Sequence, residues 1–161
     1  MEDMISNKTT FQNKELTREK IVIAMRWLCM ALFIYTAYAK TVDHARFLNG
    51  LENVHIISGF ALVISFLVPI VEIIVAALLL IPVTAKQGLY SFIAVMSIFT
   101  GYIISALIWE KKLPCHCGGV IERLSWSQHI WFNIAFIAIA IFALWLNNVN
   151  KSLKIQNHEK F

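Results

Sequence analysis

Charge is scarce in this chain. Of its 161 residues only 15% are Asp, Glu, Lys or Arg, against about 25% in an average soluble domain. Hydrophobic residues make up 58%, and the mean hydropathy is +0.66. These figures argue against a soluble globular domain and exclude a disordered chain. Cysteine is scarce too: three thiols cannot build the disulfide framework of a small secreted module. A nucleotide-binding glycine loop, H-E-x-x-H and G-x-S-x-G are all missing, so ATPase and hydrolase classes have no residue-level support. Basic residues exceed acidic ones by 14 to 10. They lie at the chain ends and between apolar runs, as membrane flanks do, and form no stripe for nucleic acid. The length suits one domain.

What the chain has is apolar blocks. They run over Ile21–Ala39 (broken by Arg26), Val54–Val83, Gly88–Trp109 and Ile130–Leu146. About 20 apolar residues cross roughly 30 Å of hydrocarbon, so the first, third and fourth blocks supply one crossing each. The second would reach about 45 Å as a straight helix, and Pro69 in its middle has no N–H to donate. This pattern predicts a short interfacial helix over His55–Leu67 and a short crossing over Pro69–Val83. The expected architecture is all-α: a polytopic membrane protein with a four-transmembrane-helix bundle and a short interfacial helix before the second crossing. The membrane domain spans 21–147 with crossings at about 21–40, 69–83, 88–109 and 130–147, and the lipid bilayer is its first partner. Residues 1–20 and 148–161 are polar ends.

Lys and Arg set the orientation. Lys8, Lys14, Arg18, Lys20, Arg26, Lys86, Lys151, Lys154 and Lys160 share the side of the termini; Lys40, Arg46, Lys111, Lys112 and Arg123 fall on the other. The excess places both termini in the cytoplasm, with loops Thr41–Asn53 and Glu110–Gln128 facing outward. Trp109, Trp126 and Trp131 then belong to the outer interface, and Trp27, Tyr90 and Trp145 to the inner one. Trp27–Thr36 followed by Ala37-Tyr38-Ala39 imitates a cleaved leader. The long, half-acidic N-terminal segment and the helix that cleavage would remove argue for retention. Small residues at Ser97, Gly101 and Ser105, and at Ala135, Ala138 and Ala143, are expected to be helix-packing faces.

The most specific chemical feature is Leu113-Pro114-Cys115-His116-Cys117-Gly118-Gly119. Cysteines two apart can form a strained, easily reduced disulfide, which suits thiol exchange. His116, Lys111 and Lys112 would favour the thiolate. An outward thiol pair also suits an oxidising compartment. Two other readings stand beside exchange: a Cu(I) site at Cys115, His116 and Cys117, with His44 or His55 completing a fourth ligand for zinc, and inert interfacial thiols. In the last case the bundle would be a non-catalytic subunit of a larger complex.

A second feature is Glu72, a carboxylate inside an apolar run that must find a partner. Lys40, closing the first helix, is the simplest one. The pair would lock two helices, relay protons or anchor a quinone head. Asp43 and His44 follow one turn later and could extend the network, although a solvated loop suits His44 better. Cys29 reads as inert packing, Asn133 as a hydrogen-bonding group across the bundle, Ser125 and Ser127 as helix caps, and His129 as interfacial.

Tyr38-Ala39-Lys40, Phe47, Pro69-x-x-Glu72 and Pro114-Cys115-x-Cys117-x-Gly119 together resemble the MauE family (methylamine-utilisation protein E), within the DoxX-like bacterial membrane proteins. The resemblance covers roughly residues 20–147. It implies a four-helix protein of the bacterial inner membrane linked to thiol redox. Cys115 and Cys117 would exchange disulfides with an extracytoplasmic thioredoxin-like or disulfide-containing partner, a thiol–disulfide oxidoreductase activity supported by His116, Lys40 and Glu72. The layout also resembles the vitamin K epoxide reductase group, whose partner is a quinone. That group uses Cys-x-x-Cys within a helix, whereas this chain has Cys-x-Cys in a loop.

Overall fold

The structure is a computed structural model that describes residues 2–54, 57–109 and 126–158, with side chains from 15 to 149 inside those ranges except 109 and 126. Its elements are α1 (Glu2–Val42), α2 (His44–Glu52), a 3-10 turn (Ser58–Phe60), α3 (Ala61–Leu80), α4 (Ala85–Trp109) and α5 (Trp126–His158). Among the described residues, four segments are long and apolar enough to cross a membrane: Glu15–Val42, Ser58–Leu80, Ala85–Ile108 and Ser127–Val149. The all-α, four-span architecture read from composition is the one observed. The polar chain ends are helical as well. Neither α1 nor α5 contains a glycine or proline, so nothing local stops the helix where the apolar run stops.

Each helix turns one stripe inward. On α1 it is Cys29, Met30, Phe33, Ala37 and Lys40; on α3 it is Ala61, Ser65, Pro69, Glu72, Val75, Ala76 and Leu79. These three- and four-residue steps are the helical period. The outward faces are apolar: Ile70, Ile73, Ile74, Ile98, Ile108 and Ile141 are all more than half exposed. The buried set, in contrast, includes Lys40, Ser65, Glu72, His129 and Asn133. Apolar outside with polar groups inside suits a bundle dissolved in lipid. Phe33 packs on Phe92 with ring centroids 4.4 Å apart, and Phe92 reaches Phe136 at 6.5 Å, which ties α1, α4 and α5 together.

Pro69 does not break the second block. The expected division into a helix over His55–Leu67 and a crossing over Pro69–Val83 gives way to one helix, Ala61–Leu80, with Pro69 buried inside it. Proline removes one hydrogen bond per helix. Within a membrane bundle, neighbouring helices and local adjustments make that tolerable, so the break seen in soluble proteins does not follow. The short helix before this crossing is α2, formed by residues placed in the expected Thr41–Asn53 loop; His55 lies outside the described residues. Phe47 and Leu51 of α2 cluster with Ala61, Ile64 and Val68 of α3. Phe33 clusters with Val75 and Leu79 lower down. Contacts thus climb α1 and α2 as they descend α3, and α2 carries on the antiparallel path that α1 begins.

The small-residue faces are not where the helices meet. Ser97 and Gly101 are exposed, as are Ala135 and Ala138, while Ser105 is half-buried; only Ala143 of that set is buried. The rotation of α4 is set by its bulkier residues, with Leu89, Phe92, Met96, Ile103 and Ala106 inward. The close backbone approach comes instead at Gly88, beside the α3–α4 turn. A Cβ there would lie 2.9 Å from the backbone nitrogen of Leu79, whereas one on Gly101 would meet nothing within 4 Å. Gly88→Ala should therefore destabilise the bundle by about 1–3 kcal/mol through overpacking. Gly101→Ala should be neutral or stabilising by up to about 1 kcal/mol through helix propensity. Thermal unfolding of both variants in the same detergent measures the difference.

Candidate functional site

The site is built where α1, α3, α4 and α5 converge around two opposite charges. Lys40 stands in the last turn of α1 and Glu72 past the midpoint of the Ser58–Leu80 span. That is deeper than the early position expected when the crossing was placed at 69–83. Lys40 Nζ donates to Glu72 Oε1 at 2.5 Å, and the two side chains are 8% and 1% exposed. The pair inferred from the lone carboxylate is thus present. Phe47 and Phe99 flank the ammonium, with ring centroids 5.7 and 5.1 Å from Nζ. Their faces supply cation–π attraction to the ammonium.

Only one oxygen of Glu72 is used. Oε2 is buried and has no hydrogen-bond partner. Thr36 lies beside the carboxylate, but its hydroxyl is within 3.1 and 3.2 Å of the Leu32 and Phe33 carbonyls and donates there. The pair borders a cavity of about 330 Å³ whose walls are mostly apolar. Its polar rim is Thr36, Lys40, Glu72, Tyr102, His129 and Asn133. His129, near the start of the Ser127–Val149 span, is buried, with Nδ1 unpartnered; its burial was not read from the sequence. His129 and Asn133 are four residues apart on α5 and therefore share a face. That spacing was the available signal. Asn133 is buried on the cavity wall.

His44 is not a solvated loop residue either. It opens α2, half-buried, with its ring 4.4 Å from that of Phe66 and Nε2 3.1 Å from Ser65 Oγ. The single Ser65 hydroxyl hydrogen goes to the Leu62 carbonyl at 2.7 Å, so His44 Nε2 must carry the proton and donate. This latch fastens α2 to α3 two turns above Glu72. Asp43 turns outward to Arg46 at 3.5 Å in an exposed pair and does not join Lys40. Cys29 is a fully buried free thiol in the core cluster, as expected. Cys115, His116 and Cys117, like Lys111, Lys112 and Ser125, lie outside the described residues. No group of three His, Cys, Asp or Glu side chains that could hold a metal occurs among the described residues.

The family model for methylamine utilisation protein MauE matches residues 18–146. The chain belongs to the MauE family. The match runs from the first span to the end of the fourth and includes Lys40, Glu72 and the Cys-x-Cys segment, in agreement with the resemblance read from those residues. Comparison with curated proteins and with solved structures finds no match. In this MauE-family chain the described chemistry is therefore the buried pair and its cavity.

The latch gives a local prediction. His44→Phe keeps a ring against Phe66 but loses the bond to Ser65, and should cost about 1 kcal/mol of stability. Ser65→Ala should cost a similar amount. Because both remove one shared bond, the double variant should lose less than the two single losses added together. Equilibrium unfolding of the three variants checks this.

Proposed function

We propose that this MauE-family protein exchanges thiol and disulfide equivalents across the outer face of the bacterial inner membrane, through Cys115 and Cys117. The observation that carries the reading is the Cys-His-Cys segment. It falls inside the family match, in the connection between the last two spans. Both termini are cytoplasmic in this reading, because Lys and Arg are concentrated on their side. That orientation turns the α4–α5 connection outward, to a thioredoxin-like or disulfide-containing partner.

The exchange balances as a thiol–disulfide reaction. A thiolate of one protein attacks a disulfide of the other, giving a mixed disulfide and releasing one thiol. The second thiol of the attacking protein then closes its own disulfide and releases the partner's second thiol. Two electrons and two protons pass from one pair to the other. His116 supports thiolate formation, and Lys40 with Glu72 supports the four-helix bundle.

The test is the thiol state in intact cells. After acid quench, Cys115 and Cys117 should accept a membrane-impermeant, mass-shifting maleimide only following reduction. Cys115→Ser or Cys117→Ser alone should accumulate a reductant-sensitive mixed disulfide with an extracytoplasmic protein. Pairs that label fully without reduction, together with single variants that trap nothing, would contradict exchange. A stoichiometric copper ion lost in the double serine variant would then favour Cu(I) binding.

A further inference from the structure

Glu72 Oε2 and His129 Nδ1 are left over by every contact described so far. Both are unpartnered, their residues are 1% and 7% exposed, and both residues line the same cavity. A buried polar atom without a partner implies one that comes from elsewhere. Water alone is a poor answer. The cavity's 330 Å³ corresponds to the liquid volume of about eleven waters, and each ordered water needs two to four polar partners. The polar rim can hold a few; the remaining wall is Ile, Leu, Val, Met and Phe side chains.

Three features define what fits. Lys40 and Glu72 neutralise each other, so the occupant is neutral. Phe47, Phe99 and Phe132 are among the wall residues, which suits a flat aromatic body. Ile98 lines the cavity yet is 70% exposed on the α4 span, so the cavity reaches the lipid-facing surface. The head must satisfy a carboxylate oxygen, which only accepts, and an imidazole nitrogen, which donates or accepts by tautomer. A hydroxyl does both.

We propose that this cavity binds a neutral, lipid-soluble aromatic alcohol of the phenol or hydroquinone class, which enters from the bilayer, donates to Glu72 Oε2 and bonds His129 Nδ1. None of the residues involved lies in the Cys115–Cys117 segment, so the site stands or falls independently of thiol exchange.

The test uses the full chain in lipid nanodiscs and labelled tert-butylhydroquinone, kept reduced under argon, with empty discs of the same lipid to subtract partitioning. Saturable binding of one molecule per chain is expected. The dimethyl ether of the probe keeps the ring but loses both donors, and should bind about tenfold or more weakly. Val68→Trp, one turn from Glu72, should fill the cavity and abolish binding without touching the ion pair. His129→Phe should weaken binding several-fold. No saturable excess over empty discs overturns the site, as does an ether that binds equally well, which would show apolar filling only. A folded Val68→Trp that binds normally also overturns it. Should Val68→Trp fail to fold, His129→Phe decides: weaker binding supports the site, unchanged binding refutes it. The comparison of probe with ether needs no variant at all.

Discussion

A positive and a negative charge sit inside a bundle whose outer surface is hydrocarbon-like, and the fold around them follows from that. A single ionised side chain at the centre of a membrane helix costs on the order of 2.5–3.5 kcal/mol on insertion scales. Neither Lys40 nor Glu72 is tolerable there alone. Together, at 2.5 Å, they recover much of that cost, but only where α1 and α3 run antiparallel in one register. Shifting either helix by one residue rotates its charge about 100° off the shared face. The pair therefore selects a register as much as it supplies stability, the role for which buried ionic groups are best attested. The stripes above and below it fall into place: Phe33 beside Val75 and Leu79, His44 beside Ser65, and Leu51 beside Ala61.

The same pair shapes the space next to it. The two charged side chains and the phenylalanines beside the ammonium, Phe47 and Phe99, all border one cavity. The gap is lined by Met96, Phe99, Ile103 and Phe132, with His129 and Asn133 on the α5 side. Away from the pair, packing is tight. Leu89 and Phe92 are almost fully buried, and Gly88 brings α4 against the backbone of Leu79. One end of the bundle is a close-packed core and the other holds a cavity lined in part by the charged pair. Two of the helices bordering that cavity, α4 and α5, are also those joined by the segment bearing Cys115 and Cys117.

Much of this was legible in the sequence, for identifiable reasons. Spans can be read because hydrocarbon admits few charges over a fixed thickness. Glu72 interrupts an apolar run, so it demanded a cation, and Lys40 was available at a helix end. Pro69 misled because its cost depends on what surrounds the helix, which sequence does not show. Ser97 and Gly101 misled because small residues permit close packing but do not compel it; the large residues of α4 fixed its rotation. His44 was misassigned, and the burial of His129 missed, for a shared reason. A histidine beside apolar residues looks alike at an interface and in a core, and its surroundings are set by helices distant in sequence. The cavity belongs to no single segment, since it is contributed by α1 to α5 together.

The central claim is that Lys40 and Glu72 are mutually required, each harmful without the other. A double-mutant cycle on unfolding free energy in bicelles tests it most directly, using Lys40→Met, Glu72→Leu and the two combined. Each single change leaves an uncompensated buried charge and is expected to cost about 3–5 kcal/mol, whereas the double replaces the pair with apolar groups of similar size and should return close to the original stability. A double variant that loses as much as the two single variants added together would contradict the account, because the charges would then be acting separately.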